Sequence, residues 1–376
     1  MTPWLLASGD FVPLGGMDTA NHALASYLAR RGEGDVHLVA HRVSPDLIAL
    51  PAIRVHYVPR PFGLHSVGEP LLTNIATRRA RHVRASGGHV MANGGNVDAG
   101  DVSWAHYVHA AYEPSAAGVW NAAIVALRHR HYVAAERRAF TQARLVLCNS
   151  ARTVEDVVSR VGVDPQRVRR VYYGVDAERF QPDADQAAAK AMLGYEAASP
   201  LVLFVGALGD RRKGFDTLFS AWRELCRRSD WDAHLLVAGS GAELAAWQAR
   251  AARHDELADR VRFLGYRTDV PSLMAAADVV VHPARYEAYG LAVHEALCCG
   301  VPAVVSASAG VAERLPEDLR ALLVHDAESA AELASRLLTW RGAKDDFRQR
   351  TLKFGATLRE RTWDDMSRDI AAMAES

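Results

Sequence analysis

The sequence predicts an α/β protein built of two doubly wound parallel-sheet domains. Three observations carry that expectation. Short apolar runs alternate with helical patterns along the chain, and such alternation folds into a parallel sheet covered by helices. The alternation pauses at the polar, proline-bearing segment Gln181-Pro182-Asp183-Ala184-Asp185 and then restarts, as at the start of an inter-domain linker. The length of 376 residues suits two domains at roughly 100–200 residues each.

In the first half, residues 4–7 read as a strand, 17–31 as a helix and 36–40 as a strand; 145–148 (strand), 153–161 (helix) and 169–173 (strand) follow. After the linker, strands are expected at 201–205, 235–238, 261–264, 279–282 and 303–306. Helical patterns at 215–227, 242–253, 270–276 and 291–299 separate them. In the tail, Trp363, Met366, Ile370 and Met373 recur at helical spacing, which predicts an amphipathic helix that must dock on something. The expected division is 1–180, 181–355 and a closing helix within 356–376. Two such domains suggest a ligand cleft between them, with motifs just past the strand ends.

Composition narrows the class. Apolar residues make up 49% and charged residues 23%, which excludes disorder, collagen-like repeats and coiled coil as the main architecture. With 44 basic and 44 acidic residues, a whole-chain basic field for nucleic acid is absent. The four cysteines form no CxxC, so a reducing compartment fits better than a disulfide scaffold. The N-terminus lacks the basic region of a signal peptide. The longest uncharged stretch, 296–312, is interrupted by Gly300, Pro302 and Gly310 and falls short of a membrane span. These features point to the cytosol.

Charge is unevenly spread. Residues 1–180 hold 20 Arg, no Lys and 15 acidic residues, while the remainder holds 24 basic and 29 acidic residues. Two basic clusters stand out: Arg78, Arg79, Arg81, Arg84 and Arg128, Arg130, Arg137, Arg138. They read either as solvated helix faces or as a surface for something anionic, such as a phosphorylated acceptor or a membrane.

Four motifs carry candidate chemistry. Gly15-Gly16 precedes the first helix, where backbone N–H groups can approach a phosphate or simply make a turn. The loop Gly206-Ala207-Leu208-Gly209-Asp210-Arg211-Arg212-Lys213-Gly214 follows a strand. Its Arg212 and Lys213, before a helix N-terminus, suit a diphosphate. Lys213 is one of only four lysines against 40 arginines. The segment from Arg285 to Ala296 places Glu287 in a loop and Glu295 in the following helix, with Gly290 and Leu291 at the helix start. The helix N–H groups can hold a phosphate; the two carboxylates can hold sugar hydroxyls and a ribose diol. Finally, Asp101–His109 reads as a strand ending in His106 and His109. Lone histidines on apolar strands are usually core residues, and these two lack a third metal ligand nearby in sequence.

The run Leu201–Glu313 resembles the donor-binding domain of GT-B retaining glycosyltransferases of family four. The similarity rests on Phe204-Val205-Gly206, Arg212-Lys213-Gly214, Phe263-Leu264-Gly265, the Glu287-to-Glu295 element, Val301–Val305 and Gly310-x-x-Glu313. Leu147–Ser150 and Tyr173–Asp176 match elements before the linker, and 128–140 resembles the lipopolysaccharide-core glucosyltransferase branch. The resemblance implies a nucleotide-sugar donor on the C-terminal domain and an acceptor on the N-terminal one. It also implies retention of anomeric configuration without a required metal or cofactor. Carried over by position, Arg212 and Lys213 bind the diphosphate, Glu287 meets the donor sugar and Glu295 holds the ribose. Gly15, Gly16, Gly206, Tyr266, Arg267, Ala288, Tyr289, Gly290 and Leu291 complete the donor set, and His106 or His109 meets the sugar near the reacting carbon. Ala207, Tyr289 and Ser308-Ala309-Gly310 depart from the family's usual residues. A nicotinamide oxidoreductase would need a GxGxxG after a strand, which the chain lacks. A GT-B epimerase and a non-catalytic nucleotide-sugar-binding scaffold remain alternatives.

Overall fold

The computed structural model describes residues 2–63, 65–96, 101–114, 119–183 and 185–376. Its strands are β1 (Trp4–Ala7), β2 (Asp10–Phe11), β3 (Val36–Ala40), β4 (Arg42–Val43), β5 (Ile53–Tyr57), β6 (His89–Asn93), β7 (Val102–Ala105), β8 (Leu145–Cys148) and β9 (Val168–Arg170). A second series comprises β10 (Leu201–Val205), β11 (His234–Ala238), β12 (Val261–Gly265), β13 (Val279–His282), β14 (Ala303–Ser306) and β15 (Leu323–Val324). The chain forms two units: Met1–Gly174 with Arg361–Ser376, and Val175–Glu360. Gln181, Pro182, Asp183 and Asp185 of the expected linker fall within the second unit; Ala184 lies outside the described residues.

In the first unit the strands pair in parallel in the order β5-β3-β1-β6-β7-β8-β9. The direction of winding reverses between β1 and β6, so the loops after those strands diverge and leave a crevice. The expected strand at 169–173 is shorter and earlier, at Val168–Arg170, and Tyr173 has left the ladder. The expected helix at 153–161 begins at Ala151, capped by Ser150, and ends in a wider π turn over Val157–Val161.

The tail helix, Trp363–Glu375, docks in this unit against the helix Gly16–Arg31. Thr362 and Asp365 form a reciprocal cap at its start. Met366 and Ile370 are buried. Arg30 reaches Asp364 at 2.6 Å and Arg31 reaches Glu375 at 2.9 Å.

In the second unit the parallel order is β12-β11-β10-β13-β14-β15, with the reversal between β10 and β13. Leu201, Val202, Leu203 and Phe204 are fully buried, because a parallel sheet covered on both faces leaves neither side to solvent. Each such side chain contributes about 1.5–3 kcal/mol on burial. The helix Phe215–Cys226 follows from Phe215, Leu218, Phe219, Trp222 and Leu225 falling on one face, all of them buried. Among the described residues, no helix is long and apolar enough to cross a membrane.

Candidate functional site

The reversal between β10 and β13 positions the main constellation. The loop after β10 runs Gly206–Gly214 and the loop after β13 runs Pro283–Gly290, so both leave the carboxyl ends of neighbouring strands. In the first loop, the Asp210 carboxylate accepts from the Arg212 backbone N–H at 3.0 Å and closes a 3-10 turn over Arg211–Lys213. Gly214 follows with φ of 69°. That left-handed turn aims the Lys213 side chain across to the second loop, where its Nζ donates to Glu287 Oε2 at 2.6 Å. His282, the last residue of β13, shares the same oxygen through Nε2 at 2.9 Å.

Burial alone would favour protonation of Glu287. The Lys213 ammonium and His282 outweigh it and hold the carboxyl well below its usual range. Glu287 is therefore a charged acceptor at neutral pH, suited to sugar hydroxyls. Arg212 and Lys213 are each paired with a carboxylate. Arg212 Nη2 lies 2.8 Å from Asp210 Oδ2, and Lys213 is held by Glu287.

Arg285, which sequence reasoning passed over, ties the loops together. Its backbone N–H donates to the Arg212 carbonyl at 2.7 Å, and its guanidinium to the Arg211 carbonyl at 2.7 Å and Asp216 at 2.6 Å. Glu328 and the Thr217 hydroxyl also accept from it. Arg285 was legible only as a neighbour of the motif residues, since Arg211, Arg212, Asp216 and Glu328 lie on other elements, whereas Asp210 and His282 have their partners Arg212 and Glu287 within five residues.

Gly290 has φ of 102° and caps the helix Leu291–Cys298, so the first N–H groups of that helix face outward for an anion. The preceding turn is pinned from behind: the Glu287 carbonyl accepts from Gly310 N at 3.1 Å and the Tyr289 carbonyl from Val311 N at 2.6 Å. The Tyr289 side chain is buried, with its hydroxyl 2.7 Å from His294 Nδ1 and accepting from Arg314 at 3.2 Å. Its phenol shapes the loop, which leaves its backbone as the part a ligand can meet.

Glu295 lies on the second turn of that helix. Burial pushes its carboxyl up to about 8, with Arg179 opposing and Asp176 reinforcing the shift. It is largely protonated at neutral pH and can donate as well as accept. Tyr266 and Arg267 follow β12, two strands from β10. Tyr266 is exposed, and Arg267 is engaged by Asp269 at 2.5 Å; among the described residues nothing joins either to the Lys213–Glu287 pair.

In the first unit, Gly15 caps the helix Gly16–Arg31 with φ of 78°. The expected strand through His106 and His109 ends at Ala105, so neither histidine is in the ladder; His109 opens a 3-10 turn. His106 is buried, its Nδ1 on the Tyr173 hydroxyl and its ring against Trp104. Desolvation lowers its pKa to about 3, so it stays neutral. His109 Nδ1 lies 3.0 Å from Glu136 Oε2, which also accepts from the His109 backbone N–H at 2.9 Å. The two histidines thus differ: one is a buried neutral ring, the other is held by a carboxylate. Both line a cavity of about 320 Å³ with Gly9, Asp10 and Asp18.

Residues 14–179 match the family model described as Glycosyltransferase Family 4, and residues 199–340 match the one described as Glycosyl transferases group 1. The D-inositol 3-phosphate glycosyltransferase of Salinispora tropica is 31% identical over 320 residues, covering 78% of this chain and 65% of the relative. That of Mycobacterium sp. (strain JLS) is 35% identical over 212 residues, covering 54% of this chain and 47% of the relative. The chain spans about half the length of most of the curated relatives it matches. Among solved structures, WaaG, a glycosyltransferase involved in lipopolysaccharide biosynthesis, superposes with a TM-score of 0.78 at 21% identity over 99% of both chains. Anabaena Alr3699/HepE in complex with UDP and glucose gives 0.73 at 19% identity over 100% of both. At such identities the likeness is one of fold, and that fold is GT-B.

Proposed function

Because the chain belongs to the family-four glycosyltransferases of GT-B fold, we propose that it is a retaining transferase that moves a sugar from a nucleoside-diphosphate sugar, UDP- or GDP-linked, to a hydroxyl of a glycan, lipid-linked or small-molecule acceptor. The observation that carries this reading is the Lys213–Glu287–His282 group at the β10/β13 reversal. It places an ammonium for the leaving diphosphate beside a carboxylate for the donor sugar. Lys213, Arg212 and the N–H groups at Gly290 and Leu291 stabilise the departing phosphate. Glu295 holds the ribose, and Gly206 and Ala288 lend backbone to the donor. The first unit offers the N–H groups of Gly15 and Gly16 and a ring nitrogen of neutral His106 or Glu136-held His109 as further binding groups.

The bond from sugar C1 to the phosphate oxygen breaks as the acceptor oxygen bonds to C1 on the same face. The acceptor's proton passes to the departing phosphate. Pre-organised donors of this kind are typically worth ~10²–10³ in rate each. Positive charge comes from side chains and helix termini, so no metal and no cofactor is required. The anomeric configuration of the product, read by NMR with UDP- and GDP-sugars in excess EDTA, tests the reading. Product of inverted configuration would overturn retention, and activity restored only by Mg²⁺ or Mn²⁺ would overturn metal independence. Conversion of donor in the absence of acceptor would favour the epimerase.

A second element of this reading concerns location. Ile124 and Leu127 are 65% and 71% exposed on the helix Val119–Gln142, beside Arg128 and Arg130. Apolar side chains flanked by arginines suit the face of an anionic bilayer, which supports peripheral attachment near a lipid-linked or lipopolysaccharide-type acceptor.

A further inference from the structure

At the β10/β13 reversal Lys213 has two anions to serve. Its Nζ donates to Glu287 Oε2 at 2.6 Å, and an ammonium keeps further hydrogens for a phosphate. The Lys213 side chain is 27% exposed and leaves the short 3-10 turn Arg211–Lys213 rather than a strand or a long helix. Its flexible four-carbon stem can swing between partners. The place for the second anion is close by. The helix Leu291–Cys298 starts at Gly290, and a Cβ on Gly290 would stand 3.4 Å from Glu287 Cγ, so the stem of the carboxylate runs beside that helix start. A diphosphate bound to the helix N–H groups therefore competes with Glu287 for the ammonium, most strongly as it departs with growing charge.

His282 has the opposite character. Its side chain is 4% exposed, and its backbone pairs in register with Val305 of β14. A buried ring on a paired strand stays in place when a neighbouring loop side chain swings. The imidazole Nε2 lies 2.9 Å from Glu287 Oε2. Glu287 is charged, so that nitrogen carries the hydrogen of the bond. Among the described residues both donors to the Glu287 side chain converge on Oε2, and Oε1 accepts from none. The Gly310 N–H fixes the Glu287 carbonyl at 3.1 Å, which holds the backbone and leaves the direction of the carboxylate to Lys213 and His282. Once the ammonium turns away, His282 is the donor that remains.

We propose that His282 is a positioning residue of the transfer reaction: its Nε2–H holds Glu287 Oε2 while the Lys213 ammonium turns to the diphosphate, and so keeps Oε1 presented to a hydroxyl of the donor sugar. This role rests on the glycosyl-transfer reading and divides the labour within the Lys213–Glu287–His282 group. Lys213 supplies charge and moves; His282 supplies direction and stays. A carboxylate displaced by about 1 Å loses its hydrogen bond to the sugar, and misplacements of that size can cost about a hundredfold in rate.

Two variants of the full chain test this. His282→Leu fills similar space without a donor, whereas His282→Gln returns an N–H at a similar reach. Release of nucleoside diphosphate from UDP-glucose, UDP-N-acetylglucosamine and GDP-mannose, with water as the acceptor, gives kcat and KM. Isothermal titration with the same sugar nucleotides and with UDP and GDP gives binding. His282→Leu should lower kcat about tenfold or more, with KM changed less than about threefold and the affinity for UDP or GDP kept. His282→Gln should recover most of the lost kcat. A parent-like kcat in His282→Leu overturns the role. So does an equal loss in both variants, since ring volume rather than the N–H would then matter. Loss of UDP and GDP binding together with kcat in His282→Leu also overturns it, because the histidine would then support the donor loops as a whole. A parent chain that binds sugar nucleotides without turning them over removes the transferase reading, and the ratio of affinities for sugar nucleotide and nucleoside diphosphate then reads the histidine. A ratio shifted in His282→Leu and restored in His282→Gln leaves His282 as the holder of Glu287; a ratio unchanged in both overturns that as well. A parent chain that binds none of the probes overturns the reading and the role together.

Discussion

A Cβ on Gly214 would stand 1.9 Å from the Pro283 carbonyl oxygen, so the loop after β10 and the loop after β13 meet backbone to backbone at that point. Gly214 also has φ of 69°, a conformation that side chains disfavour. Gly214→Ala must therefore push the loops apart as well as strain the turn. The expected cost is about 1–3 kcal/mol in urea unfolding, with nucleotide binding weakened because Lys213 withdraws from Glu287. A variant as stable as the parent chain would show that this approach is dispensable.

Lys213→Ala should remove most of the melting-temperature rise produced by UDP or GDP, since specific ligands stabilise through RT ln(1 + [L]/Kd). It should also change the acid limb of stability. The folded pKa of Glu287 lies below its ordinary 4.5, so the group contributes stability above that value and loses it as pH falls toward the folded one. Without the ammonium that depression shrinks. Parallel stability–pH curves for parent and variant would mean that Lys213 does not hold Glu287 in its charged form.

Glu295 should behave in the opposite sense. Its pKa rises from 4.5 to about 8 on folding, so the folded chain keeps a proton that the unfolded chain has released. Stability attributable to this group falls as pH climbs between those values. Glu295→Gln should be nearly neutral in acid and stabilising by a few kcal/mol above pH 8, at ~1.4 kcal/mol per unit of pKa. In kinetics, Glu295→Ala should raise KM for the donor, whereas Glu287→Ala should depress kcat. The same KM-only defect in both would contradict the separate roles.

Ile124 and Leu127 should anchor the chain to anionic vesicles together with Arg128 and Arg130. Replacing both apolar residues by Ser should reduce co-sedimentation with phosphatidylglycerol vesicles, and salt should reduce it further, because surface charges are screened over about 8–10 Å. Equal partitioning into neutral and anionic vesicles would assign the arginines to solvent.

Where structure is local, the sequence reads well. β10 (Leu201–Val205) and β13 (Val279–His282) coincide with their apolar runs, because a strand buried on both faces must be continuously hydrophobic. The helix starting at Phe215 follows from its one-sided apolar pattern. The histidines after β7 were misplaced: Asp101–His109 has the residue types of a strand, but the ladder stops at Ala105, and a buried tyrosine and a distant carboxylate settle where the rings go. Asp18 gave no signal in the sequence, because a helix-start acid is ordinary. Its character comes from burial and the neighbouring charge of Asp10, which raise its pKa to about 7.

The amino-acid sequence by itself determined the βα alternation, the two doubly wound units and the family motifs after strands, since periodicity, turn residues and strand ends are properties of short windows. The tertiary structure decided who meets whom. Lys213 reaches Glu287 because β13, not β12, lies beside β10. Arg78, Arg81 and Arg138 line one groove because the helices His65–Ala85 and Val119–Gln142, separated in the chain by the two strands β6 and β7, come to face each other, while Arg84 is held by Asp101. Strand order and helix facing depend on the packing of the whole unit, and a reading limited to neighbours in sequence has no access to that choice.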